Sequence, residues 1–247
     1  MTLESVLTSR AVVLAEVPLR IDPDEVLRFQ GYKKGVDQPT REVREILESA
    51  MGLGGELIEP RAVYRAGPVA GQGPSEIRLA GGTRLHIPEI QRLWGPLVAV
   101  GAAICTAGDA IESRVRELFD AREFPLAVML DSVGSAAAES LAEYVNDLLC
   151  QVAIPEALKV TNRVSPGYAG WDVAEQGRLF AFCPGDPIGV TLNASCVMTP
   201  AKSISFLVGI GPEARVDHYF TQCRRCWMQD CAYRRAPAER TVHRARG

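Results

Sequence analysis

The sequence predicts an α+β fold, a mainly antiparallel twisted sheet with flanking helices, and three stretches predict it. Ile77-Arg78-Leu79 and the run Thr83 to Ile87 alternate in polarity around Gly81-Gly82, the pattern of a hairpin. Pro96 to Thr106 is a continuous apolar run with Gly101 inside it, as a strand buried on both faces requires. Pro125 to Cys150 reads as a long helix passing through Gly134-Ser135-Ala136-Ala137-Ala138, whose small side chains let a partner backbone or a ligand come close.

The remaining elements follow in order. Ala11 to Val17 is a short apolar run rich in β-branched residues. Asp22-Pro23-Asp24 then opens a helix through Phe29 with acids in its first turn, and Gly31 ends it. After the break at Gln38-Pro39, Thr40 is placed to cap a helix whose apolar positions Val43, Ile46, Leu47 and Met51 recur at helical spacing until Gly52 and the Gly54-Gly55 pair. Ala62-Val63-Tyr64 reads as a strand. Asp109 to Arg122 repeats acids and bases around Ile111, Val115, Leu118 and Phe119, a helix with one wet face. Val173 to Phe182 is amphipathic, and Ile188 to Leu192 reads as an apolar strand.

At 247 residues, 47% hydrophobic and 23% charged, the chain can bury one large core or two small ones. Its formal net charge of -3 supplies no global basic field, so a nucleic-acid partner is not expected. No apolar run reaches the roughly twenty residues that cross a bilayer, and Glu4 and Arg10 interrupt the N-terminus, so a cytoplasmic protein with no membrane partner is expected. Seven cysteines, scattered except for one cluster, fit reduced thiols and a metal site better than a disulfide framework.

Chemistry concentrates in Arg163-Val164-Ser165-Pro166-Gly167-Tyr168. Pro166 presets its own φ and pushes Ser165 out of the α region, while Gly167 permits positive φ and close approach of a ligand to the main chain. Arg163 offers a bidentate grip for a carboxylate, and Tyr168 a flat face with a polar tip. The plainer reading is an ordinary turn whose arginine pairs locally. About thirty residues later comes Met198-Thr199-Pro200-Ala201-Lys202-Ser203, which the intervening elements could return to the same surface.

These motifs resemble the activation domain of cobalamin-dependent methionine synthase. Arg163, Gly167 and Tyr168 match its Arg-x-x-x-Gly-Tyr signature, Ile188 to Asn193 and Met198 to Ser203 look like its following strand and Met-x-Pro-x-x-Ser segment, and Leu130 to Tyr144 resembles its central helix. The likeness is firm from about Val128 to Gly211. It implies a twisted-sheet domain over residues 1–217 that binds S-adenosylmethionine and reactivates a corrinoid methyltransferase system by reductive methylation of cob(II)alamin. The site residues it implies are Glu139, Arg163, Ser165, Gly167, Tyr168, Thr199 and Ser203, with Glu139 meeting the ligand's positive charge; no catalytic residue is assigned. It further implies a partner corrinoid (cobalamin-binding) protein or methyltransferase, which brings the corrinoid, and an electron donor such as a flavodoxin or ferredoxin. An Asp-x-His-x-x-Gly corrinoid motif is missing here, and so are a dinucleotide fingerprint and a Gly-Lys-Ser/Thr phosphate loop. A binding module that senses the ligand or docks the corrinoid protein is the alternative, as is an iron-sulfur electron donor.

Residues 218–247 form a Cys-rich, Arg-rich tail. Cys223, Cys226 and Cys231 are spaced to converge on one metal, either zinc, with His218 as fourth ligand, or a [4Fe-4S] cluster completed by Cys183 or Cys196.

Overall fold

The computed structural model describes residues 10–33, 36–168 and 171–216. In chain order the elements are β1 (Val12–Leu14), α1 (Pro23–Phe29), α2 (Arg41–Leu57), β2 (Arg61–Gln72), β3 (Glu76–Leu79), β4 (Arg84–His86), α3 (Ile90–Trp94), β5 (Ala99–Thr106), α4 (Ala110–Asp120), α5 (Phe124–Ala153), β6 (Lys159–Val160), α6 (Gln176–Phe182), β7 (Thr191–Leu192), β8 (Met198–Thr199) and β9 (Ser203–Gly211). The main sheet runs β4-β3-β2-β5-β9-β6, with β1 beside β2, and its pairings are antiparallel. β2 is long enough to take β1 and β3 in succession on one edge, and its register shifts between Val69 and Gly71. A bulge there sharpens the local twist and curls the sheet.

β5 explains its own composition. It pairs with β2 on one side and β9 on the other, and all eight of its residues are buried. Ala99, Ala103 and Cys105 pack with Phe206, Val208 and Ile210 under the second half of α5, through Leu141, Ala142, Val145 and Leu149. Val100, Ala102 and Ile104 face the other way, into a cluster with Leu207, Val164, Trp171, Leu179 and Phe182. The first half of α5 leaves the sheet and buries Leu130, Val133 and Ala136 against α1, α2 and α4, through Val26, Leu47, Ala50, Ile111 and Leu118. One thirty-residue helix therefore belongs to two cores.

Thr40 caps α2 where the sequence places it, accepting from the Val43 amide, and at the start of α1 Asp22 accepts from the Asp24 amide. The hairpin pairs Ile77 with Leu85 and Arg78 with Arg84. Two expectations are corrected. α2 does not stop at Gly52 but runs through Gly54 and Gly55 to Leu57, because a Cβ at Gly54 would stand 2.5 Å from Val133 Cγ1 and the glycine is what lets α2 lie close on α5. Ile188 to Leu192 is not one strand. Asp186–Ile188 is a 3-10 turn that buries Ile188, and only Thr191–Leu192 is extended, in a separate two-stranded ribbon with β8.

Two of the three glycines of α2 should respond oppositely to the same change. Gly52→Ala, with nothing within 4 Å of the new methyl, should stabilise the protein by about 0.5–1 kcal/mol through helix propensity. Gly54→Ala should cost about 1–3 kcal/mol by overpacking against Val133. Chemical denaturation of both variants checks the signs.

Candidate functional site

The turn at Arg163 is held from three directions. Val164 exchanges backbone hydrogen bonds with Leu207, which fastens the segment beside β9. The Tyr168 amide donates to Ser165 O at 3.2 Å, the Gly167 amide to Trp171 O at 2.9 Å, and the Trp171 amide to Tyr168 O at 2.8 Å. Trp171 is buried and its indole N–H donates to His86 O at 2.8 Å, anchoring the turn on β4. Gly167 has φ +91°, the left-handed region that favours glycine, and a Cβ there would meet nothing nearer than Val173 at 3.8 Å. The main chain at Gly167 is thus open to a ligand.

Because Val164 packs with Leu207 on one face of the sheet, Arg163 turns to the other, where Phe206 and α5 lie. Its guanidinium carbon sits 5.4 Å from the Phe206 ring centroid, within cation–π range. Glu139 reaches across from α5, and Arg163 Nη2 lies 3.4 Å from Glu139 Oε2. That is longer than a strong charge-assisted hydrogen bond, and with the two side chains 22% and 29% exposed the pair is mostly shielded but open to water on one side. Below it is Cys105. Burial pushes the Cys105 thiol well up, the Arg163 cation pulls it back, and Cys183 and Glu139 push it further.

The sequence-predicted residues fall into two groups. Glu139 and Arg163 touch, and Ser165, Gly167 and Tyr168 continue from Arg163, with Ser165 buried and Gly167 and Tyr168 exposed. Ser203 lies four residues along β9 from Leu207, about 13 Å at 3.3 Å per residue, and its buried hydroxyl donates to Thr106 Oγ1 at 2.9 Å. Thr199 sits exposed on the β7–β8 ribbon. Two neighbours escaped the sequence reading. Phe206 underlies Arg163, and Lys202 lies 2.8 Å from Asp131 on α5. The four-residue spacing of Asp131, Ser135 and Glu139, which sets them on one helix face, is the signal that could have found the second.

Cys223, Cys226, Cys231 and His218 lie outside the described residues, and among the described residues no group of three or more His, Cys, Asp or Glu is arranged to hold a metal. Cys183 is buried, its thiol directed at Val63 O and pushed up to about 12 by burial, with Arg65 opposing. Cys196 is partly exposed on the β7–β8 turn. Among the described residues no helix is long and apolar enough to cross a membrane. A cleft of about 650 Å³ between α1 and α2, lined by Leu27, Tyr32, Lys33, Asp37, Arg44 and Met51, contains none of the sequence-predicted site residues.

A family model for the vitamin B12 dependent methionine synthase activation domain matches residues 97–236, more than half of the chain. The chain belongs to this family. The match extends beyond the Val128 to Gly211 stretch at both ends and takes in the tail cysteines. Among solved structures, the MetH reactivation domain, crystallised bound to AdoHcy, is similar with a TM-score of 0.62 at 14% identity, over 86% of this chain and 81% of that one. At that identity the likeness is one of fold, and it matches the curled antiparallel sheet with flanking helices. No curated protein matches the chain. The activation-domain signature thus coincides with the place where the fold sets Arg163 against Glu139.

Thiol reactivity checks the burial around this site. At pH 8 in the folded protein, a maleimide should modify Cys196 and leave Cys105 and Cys183 intact until denaturant is added, because both carry raised thiol pKa values and no solvent access. Peptide mapping that finds Cys183 modified in the native state would contradict this packing.

Proposed function

We propose that the protein binds S-adenosylmethionine between Glu139 and the Arg163 to Tyr168 turn, and acts as a reactivator that methylates the corrinoid of a partner protein after its one-electron reduction. The observation that carries this reading is one cation and one anion 3.4 Å apart, the cation four residues before a glycine whose main chain is open. A methionyl group is a zwitterion carrying a sulfonium, so it answers both charges at once. Its carboxylate suits Arg163 in the bidentate manner, and its ammonium or sulfonium suits Glu139. Gly167 lets the ligand approach the backbone, and half-exposed Tyr168 offers a ring to pack against it. Family membership supports a corrinoid partner.

The substrates supply the chemistry. A separate donor, a flavodoxin or ferredoxin, gives one electron to cob(II)alamin; the resulting Co(I) electron pair forms the Co–C bond while the C–S pair stays on sulfur, leaving S-adenosylhomocysteine. No proton moves, so no general acid or base is needed from the chain. Its residues orient the sulfonium methyl and hold the methionyl end still, which is catalysis by positioning. The Cys223, Cys226 and Cys231 cluster, as zinc or iron-sulfur ligands, belongs to the same proposal: anaerobically purified protein would carry stoichiometric metal.

Binding is tested by titration calorimetry with S-adenosylmethionine. Arg163→Ala should weaken it by about 1.5–3 kcal/mol, the range for a hydrogen bond to a charged group, and unchanged affinity would remove Arg163 from the site. Transfer is tested by incubating a cob(II)alamin-loaded corrinoid protein with a low-potential reductant and methyl-labelled S-adenosylmethionine. Label should reach the corrinoid only when this protein is present. Binding without transfer would leave a sensor or docking module, and a reversible iron-sulfur absorbance without S-adenosylmethionine binding would leave an electron donor.

A further inference from the structure

Lys202 ties the start of β9 to α5 by contacts of three kinds. Its Nζ lies 2.8 Å from Asp131 Oδ1 and donates to Ser135 Oγ at 3.0 Å. Its methylenes cover Gly134, where an added Cβ would stand 3.1 Å from Lys202 Cγ and 3.3 Å from Cδ. Its main chain is fixed as well, with the amide donating to Glu112 Oε1 at 2.8 Å and the carbonyl accepting from the Ala107 amide at 2.9 Å. The lysine side chain is 14% exposed, so the ammonium is shielded although Asp131 reaches water.

The position of this tie matters more than its strength. Asp131, Ser135 and Glu139 follow one another at four-residue intervals on one face of α5. Opposite them, Lys202 immediately precedes β9 and Phe206 follows it by four residues, with the Arg163 guanidinium carbon 5.4 Å from the Phe206 ring centroid. From Asp131 to Glu139 is about 12 Å along a helix at 1.5 Å per residue. From Lys202 to Phe206 is about 13 Å along a strand at 3.3 Å per residue. α5 is therefore held at two heights, by Lys202 with Asp131 and Ser135 at the start of β9, and by Arg163 with Glu139 on the segment that bridges to β9 at Leu207.

We propose that Lys202 is a positioning residue: by engaging Asp131 and Ser135 it sets the height of α5 along β9, so that Glu139 stands opposite Arg163. The inference rests on the reading of that pair as the S-adenosylmethionine site. It predicts that Lys202 acts on the ligand only through Glu139.

The test is the Kd for S-adenosylhomocysteine, by calorimetry on the full chain, for wild type, Lys202→Met, Lys202→Arg, Glu139→Gln and the Lys202→Met, Glu139→Gln double variant. Methionine keeps much of the chain over Gly134 and removes the ammonium. Lys202→Met should weaken binding about tenfold, the coupling expected for residues in one network. Lys202→Arg should recover to within about threefold of wild type, since it restores the charge without the same point geometry. Adding Lys202→Met to Glu139→Gln should cost nothing further. If Lys202→Met does not fold, Asp131→Asn removes the same tie from the solvent-facing side and should give the same loss. Wild-type affinity in the folded methionine variant, equal losses for methionine and arginine, or losses that add in the double variant would each overturn the proposal. Absence of binding by the wild-type chain would instead overturn the site reading and this inference with it.

Discussion

Everything in this structure depends on α5 lying lengthwise over β5 and β9. The contact is made by apolar side chains of Leu141, Val145 and Leu149 above Ala103, Phe206 and Val208, and each fully buried leucine contributes on the order of 1.5–3 kcal/mol. Such burial holds the helix down, and its close fit, with Leu149 seated against Gly101 of β5, resists sliding. Polar contacts add to that packing at Asp131 and Glu139, where α5 carries acids toward the start of β9 and toward Arg163. The same helix then leaves the sheet and organises α1, α2 and α4, so a disturbance of its register would reach both cores.

The site follows from a conflict at the sheet edge. β6 is two residues long, and beyond it the pairing with β9 thins to Thr161 on Gly209 and the Val164 to Leu207 bridge. The chain there must leave the sheet, and Pro166 and Gly167 turn it away while Trp171 fastens it to His86. An extended segment that ends at a sheet edge alternates its side chains, so burying Val164 obliges Arg163 to face α5. A cation placed over an aromatic ring and beside a carboxylate, about a quarter exposed, is ordered and still reachable from solvent.

How much of this was legible in the sequence depended on the range of the interaction. The caps at Asp22 and Thr40, the Gly81-Gly82 hairpin, the buried β5 and the positive φ at Gly167 are set by residues within a few positions of one another, and each could be read locally. α2 could not, because glycines that end a helix on local grounds continue it when one of them faces Val133 of a distant helix. Ile188 and Val190 are as apolar as a strand requires, yet Asp186-Pro187 starts a turn that spends their apolarity on the core instead of on a ladder. Ser203 shows the same limit at the site. Its hydroxyl fits a ligand-binding motif by spacing, and only the sheet reveals that Thr106 already receives its hydrogen bond. Resemblance named Arg163 and Glu139 as separate site residues, while their contact, like that of Lys202 with Asp131, came from the fold alone.

A crystal structure of the protein with S-adenosylhomocysteine tests the central claim most directly. The account predicts the ligand carboxylate within hydrogen-bond distance of Arg163, its ammonium toward Glu139 and its chain against the Gly167 backbone, with α5 unmoved relative to β9. Ligand seated in the cleft between α1 and α2, with the Arg163 to Glu139 contact intact and nothing at Gly167, would contradict it.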